Sequence, residues 1–186
     1  MRKLVVATSN PGKLPEMQQY LKGLDWQLQL KPPELDVVET ELTFAANARL
    51  KAITVAKALG EWAIADDSGL VVEALQGAPG IYSARYGKTD SERIARVLRE
   101  LGEESHRRAQ FVCVLAVAAP DGSIIAQSQG VCEGEILNSP RGTQGFGYDP
   151  IFYVVQYRQT FAQMSPELKQ RVSHRGLAFT QLLSQL

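Results

Sequence analysis

Apolar positions along the chain alternate between strand-like runs and helix-like stripes. Leu4 to Ala7 is a continuous apolar run of buried-strand length, followed by the polar loop Thr8-Ser9-Asn10-Pro11-Gly12. Lys13 to Leu21 then has helical spacing, with Pro15 in the first turn, where a helix tolerates it. Trp26 to Leu30 alternates as a strand and is broken by Lys31-Pro32-Pro33. From Thr43, the residues Phe44, Ala48, Ala52, Val55 and Leu59 recur at steps of three and four up to Gly60, which predicts a helix with a Thr cap and a Gly stop. Trp62 to Ala65 and Leu70 to Val72 read as two short strands parted by a turn or bulge at Asp66-Asp67-Ser68-Gly69. A helix is predicted over Ser91 to Leu101, with Thr89 and Glu92 as a capping box and Gly102 as its stop. Ala109 to Ala119 and Ser123 to Glu133 are long strand patterns joined by the hairpin turn Pro120-Asp121-Gly122. A stretch rich in Gly and Pro, 138–150, precedes helical sequence that starts at Ser165-Pro166 and continues, bent, to the C-terminus. Strands mixed with helices around one long hairpin predict an α/β domain with a mixed sheet.

At 186 residues the chain suits one well-cored domain, or two lobes sharing a sheet, and is too short for two ordinary independent domains. Its 45% hydrophobic and 22% charged residues exclude disordered, low-complexity and collagen-like classes. Twenty Lys and Arg balance twenty Asp and Glu, so no bulk basic field exists to hold a nucleic-acid backbone or an anionic membrane. An anionic ligand must be held by a local cluster. Cys113 and Cys132 lack metal or redox spacing and are expected to be buried thiols. The run from Leu4 to Ala7 falls short of an export signal, and the longest apolar stretch, Phe111 to Ala119, is about half a bilayer span, so a cytoplasmic location is expected.

Four segments could carry chemistry. Thr8 to Lys13 is a small polar loop opening a helix, where backbone N–H groups could face a phosphate. It is not a Walker A loop, because Ala7 and Leu14 occupy the positions of its first Gly and its magnesium-binding Ser or Thr. A capped helix with a solvated Lys13 accounts for it equally well. Asp66 and Asp67 repel one another unless a cation or hydrogen-bond donors compensate, and Mg²⁺ is a natural partner, with Glu39 as a third oxygen ligand; a solvated turn is the alternative. In Gly145-Phe146-Gly147-Tyr148-Asp149-Pro150 two glycines flank Phe146, whose ring can stack on a base or fold into the core. Ser173-His174-Arg175, with Lys169 four residues before Ser173, either binds an anionic or base ligand or covers a polar helix face. His106 is read as solvated, with no role. Together, Glu39, Asp66 and Asp67 supply acids for a metal, while Lys13, Lys51, Lys169 and Arg175 could offset the charge of a nucleoside triphosphate.

These residues resemble the inosine triphosphate pyrophosphatases, which hydrolyse deaminated purine nucleoside triphosphates to monophosphate and pyrophosphate. The likeness covers essentially the whole chain and rests on ATSNPGK at 7–13, ETELTFAANARLKA at 39–52, ADDSGL at 65–70, GAPGIYSARY at 77–86, GFGYDPIF at 145–152 and SHRGLA at 173–178. It implies an elongated α/β domain over 1–186, two-lobed around a central mixed sheet, with a cleft between the lobes, acting as a homodimer. It further implies that Thr8, Ser9, Asn10, Pro11, Gly12 and Lys13 wrap the triphosphate, that Glu39 and Asp67 hold Mg²⁺, and that Asp67 is the general base. Ser68 would contact substrate, Phe146, Gly147, Tyr148 and Asp149 would embrace base and sugar, and Lys169, His174 and Arg175 would complete the pocket. Lys13 and Lys51 would stabilise the leaving pyrophosphate, with Asp66 beside the catalytic acid. The chain departs from the family at Ala46, where a Glu is usual; at N3 of the helix this removes half of a capping box, or else an outer acid near the metal. Two other activities fit the acids and cations: a phosphohydrolase with an aspartyl nucleophile, and a purine nucleotide sensor without turnover.

Overall fold

A computed structural model, which describes residues 2–9 and 13–186, turns the apolar runs into strands and the spaced stripes into helices. In chain order these are β1 (Arg2–Val6), α1 (Lys13–Tyr20), β2 (Trp26–Leu30), α2 (Phe44–Leu59), β3 (Trp62–Val72), α3 (Asp90–Leu101), β4 (Arg108–Ala118), β5 (Ile124–Ile136), β6 (Phe152–Val154), β7 (Gln159–Thr160), α4 (Pro166–Val172) and α5 (His174–Leu183). The strands form a seven-stranded sheet in the order β2-β1-β3-β4-β5-β6-β7. β1 pairs in parallel with β2 and with β3, the arrangement that crossover helices α1 and α2 allow, while β6 is antiparallel to β5 and β7. The sheet is therefore mixed, as the α/β pattern predicts.

Two compact units divide the chain. The first, Met1–Asp67, Cys113–Gly130 and Ala178–Leu186, is built on a core that includes Leu4, Val6, Met17, Ile64, Leu115 and Phe179, with Tyr20 stacked on Phe179 at a centroid distance of 4.4 Å. The second, Ser68–Val112 and Val131–Leu177, has a separate core of Leu70, Val97, Ile136, Phe152 and Phe161 around Phe111, whose ring meets Phe152 edge-on at 4.7 Å.

Local chemistry sets the helix ends. Thr43 is extended, its Oγ1 accepts from Ala46 N at 3.1 Å, and left-handed Gly60 closes the helix by donating its N–H to Ala56 O at 2.9 Å. Thr89 Oγ1 likewise accepts from Glu92 N at the start of α3, but Glu92 Oε2 reaches past the predicted box to accept from Lys88 N at 2.8 Å. The bend expected in the last helix is a break at Ser173, where ψ is 158°. Ser173 ends α4 and caps α5, its Oγ accepting from Gly176 N, so His174 and Arg175 occupy the first turn of a new helix.

One expectation is overturned. No turn or bulge separates Ala65 from Leu70: β3 is a single strand of 11 residues with Asp66 and Asp67 inside it. Both acids are buried, and both are ion-paired, so neither has to pull the backbone out of the sheet to reach water.

Candidate active site

In the first unit, the acids of β3 meet lysines from two helices. Lys13, the first residue of α1, places Nζ 2.8 Å from Asp66 Oδ1 and 3.0 Å from Oδ2, taking up both oxygens of a carboxylate with no exposed side-chain surface. Lys51, mid-way along α2, bridges Glu39 Oε1 at 2.6 Å and Asp67 Oδ1 at 2.9 Å. The structure thus brings Lys13, Glu39, Lys51, Asp66 and Asp67 into acid–base contacts that their sequence positions do not show.

Asp67 is the unusual member. Its Oδ2 is buried and has no hydrogen-bond partner among the described residues. Burial raises the Asp67 pKa to about 6, with Lys51 pulling it down and the charges of Glu39 and Asp66 pushing it further up. For Lys51, burial works against the charged form, but attraction by Asp67, Asp66 and Glu39 more than offsets it and holds the ammonium protonated above its ordinary range. Among the described residues, Lys13 pairs with Asp66, and Lys51 pairs with both Glu39 and Asp67. An oxygen donor set with a buried, unengaged carboxylate oxygen suits a hard cation, and Glu39 and Asp67 are the pair that could hold it. Among the described residues no three His, Cys, Asp or Glu side chains converge on an ion unaided, so water or phosphate oxygens would have to complete its shell.

Sequence reasoning missed Asn47. Fully buried on α2, it accepts from Glu41 N at 3.1 Å and donates from Nδ2 to Glu41 O at 3.2 Å, tying down the segment that carries Glu39. The signal was an amide inside an apolar stripe, next to Ala48, where an unpaired polar group would be costly. Of the predicted phosphate loop, Thr8 is half-buried and Ser9 exposed, while Asn10, Pro11 and Gly12 lie outside the described residues.

In the second unit, Phe146 lies outside the core with 45% of its surface exposed, which excludes the folded-in alternative. Gly145 and Gly147 on either side have φ of 75° and 61°, a region that glycine enters without strain. A Cβ at Gly145 would also strike Asp149 Oδ2. Buried Asp149 accepts from Phe146 N at 2.9 Å and pairs with Lys169 Nζ at 2.5 Å; burial raises its pKa despite the neighbouring Lys169. Lys169 Nζ lies 5.1 Å from the Phe146 ring centroid and Arg175 Cζ 5.8 Å from it, within cation–π range. Arg175 Nη2 also donates to Ser68 Oγ at 3.2 Å. His174 is buried, its ring stacked on Phe111 at 4.6 Å. Tyr148 is a core residue whose hydroxyl donates to Ser83 O at 2.7 Å, so it anchors the loop from below.

The remaining candidates stay quiet. His106 is exposed and pairs with Glu73 at 2.7 Å. Cys113 and Cys132 are buried free thiols, as expected, and burial pushes Cys132 up to about 12, which suppresses its thiolate. Among the described residues no helix is long and apolar enough to cross a membrane.

A model of the Ham1 family matches residues 4–185. This chain belongs to the Ham1 family. Among Ham1 relatives, a dITP/XTP pyrophosphatase of Nostoc sp. is 66% identical over 183 residues, covering 98% of this chain and 93% of its own. One from Synechocystis sp., of the same description, is 61% identical over 185 residues, covering 100% and 95%. The solved structure of a HAM1 protein from Coxiella burnetii superposes with a TM-score of 0.91 at 44% identity, covering 99% of this chain and 98% of that one. The family found by comparison is the one that the six sequence motifs indicate.

Proposed function

We propose that this Ham1 protein hydrolyses deaminated purine nucleoside triphosphates (ITP, dITP and XTP) to monophosphate and pyrophosphate, with Mg²⁺ held by Glu39 and Asp67. The observation that carries the reading is Asp67, a buried carboxylate with one oxygen on Lys51 and the other unengaged. The names of the Nostoc and Synechocystis relatives support the same activity. When bound, Mg²⁺ supplies positive charge against the phosphate oxygens.

Asp67 Oδ2 takes a proton from water as the water oxygen bonds to the α-phosphorus. The bond from that phosphorus to the bridging oxygen breaks, and its electron pair leaves with pyrophosphate. Burial favours the protonated form of Asp67, which helps it to keep that proton. Lys13 and Lys51 are donors already held beside the acids, and their ammonium groups balance the leaving group. Thr8 to Lys13 receive the triphosphate. Phe146 stacks on the base, Gly147 and Asp149 shape the loop around it, Ser68 touches substrate, and Lys169, His174 and Arg175 complete recognition of base and phosphate.

Residues 1–186 act here as a single catalytic domain in a homodimer, working in the cytoplasm, where nucleotide pools are held. Neither nucleic acid nor membrane is a partner, a reading supported by the even charge balance. The test is a panel of ITP, dITP, XTP, ATP and GTP with Mg²⁺, scored separately for pyrophosphate and phosphate. Monophosphate and pyrophosphate in equal amounts, from the deaminated purines above ATP and GTP, is the expected result. Diphosphate with phosphate would move the assignment to an aspartyl nucleophile, and binding without turnover to a sensor.

A further inference from the structure

Phe146 owes its place to its backbone, because its ring is exposed and the glycines on either side give the chain unusual freedom. Asp149 holds part of that backbone: its Oδ2 accepts from Phe146 N at 2.9 Å, and its own N–H donates to Phe146 O at 3.3 Å. The next N–H, that of Gly147, is held from elsewhere. It donates to Asp90 Oδ2 at 2.7 Å, across 57 residues of sequence.

Asp90 is the first residue of α3, and capping that helix does not require it, since Thr89 already accepts from Glu92 N. Its carboxylate is itself held in place. Oδ1 accepts from Arg93 Nη1 at 2.8 Å, and Arg93 Nε donates to Gly87 O at 3.1 Å, so the group facing Gly147 is oriented by its own helix and by the turn before it. A Cβ at Gly87 would press on Arg93 N and Glu92 Cβ, which shows how closely that turn packs on the helix.

We propose that Asp90 is a positioning residue for substrate binding, fixing the Phe146–Gly147 peptide through the Gly147 N–H so that the Phe146 ring is presented ready to stack. This rests on the reading of Phe146 as the base-stacking residue. With the anchor in place the loop's conformational entropy is lost on folding. Without it the loss falls on each binding event and appears in KM rather than kcat.

The experiment compares wild type with Asp90→Ala, Asp90→Asn, Phe146→Ala and the Asp90→Ala/Phe146→Ala double variant, in steady-state hydrolysis of ITP and in thermal melting. Asp90→Ala is expected to raise KM by roughly five- to tenfold, the worth of an ordinary hydrogen bond, with kcat within about twofold. Asp90→Asn keeps an acceptor oxygen for Gly147 N–H and should recover most of that loss. In the double variant the KM of Phe146→Ala should rise no further, because the anchor then has no ring to place. The inference is overturned if Phe146→Ala raises KM but Asp90→Ala does not. It is also overturned if the two effects multiply, or if both Asp90 variants melt earlier with KM unchanged, which marks a helix-end charge only. If Phe146→Ala itself leaves KM unchanged, the stacking reading fails first and the Asp90 role falls with it.

Discussion

Asp66 and Asp67 are neighbours in one strand with different freedom. Both oxygens of Asp66 are taken by Lys13, whereas Asp67 gives only Oδ1 to Lys51 and keeps Oδ2 buried and unengaged. Chemistry that needs a carboxylate oxygen able to accept a proton is better served by Asp67 than by Asp66. Asn is nearly isosteric but cannot accept that proton and is a poorer ligand for a hard cation. Asp67→Asn should therefore fold as wild type does and lose turnover by at least about a hundredfold, the low end of the cost of removing a general base. Single-turnover hydrolysis and calorimetric ITP binding on the same folded sample check this; near wild-type hydrolysis would transfer the role to Asp66 or Glu39. ITP binding is expected to survive in part, because Phe146, Lys169 and Arg175 are untouched.

At the scale of elements, α2 carries the clearest local signals and one missing piece. Thr43 caps Ala46 N with no acid at position 46 to return the bond. Ala46→Glu should complete the box and add about 0.5–1 kcal/mol, seen as a rise of ~1–4 °C in melting temperature. Turnover at saturating Mg²⁺ should be unchanged; a several-fold fall in the Mg²⁺ needed for half activity would instead place position 46 near the metal. The helix was legible because its cap, stripe and stop all lie within its own sequence, and the hairpin at Asp121-Gly122 was legible for the same reason. The continuity of β3 was not. It depends on cations 53 and 16 residues away in the chain, and a sequence window sees two adjacent carboxylates without their partners. The acids and lysines of the site could be read as residue types, but the Asn47 clamp on Glu41 works through backbone groups that leave no mark in composition. Gly-Phe-Gly suits a buried ring or an exposed one equally, and only packing decides. Ser173 resembled one more residue of a helix until its own cap geometry divided α4 from α5.

The molecule as a whole owes its stability to two apolar cores and to acids that already have lysine counter-ions. That differs from small metal-dependent domains, in which binding the ion is what drives folding. Chelation should therefore abolish turnover while leaving far-UV circular dichroism and the melting temperature within a few degrees, and returning Mg²⁺ should restore the rate. Unfolding on chelation would show instead that the ion is structural. The Lys51 bridge from Glu39 to Asp67 thus has a consequence for protein lifetime. If activity depends on Mg²⁺ as proposed, a copy without the ion would stay folded and hidden from the proteases that clear opened chains, so scarcity of the ion would idle the existing pool of enzyme, which would recover without new synthesis.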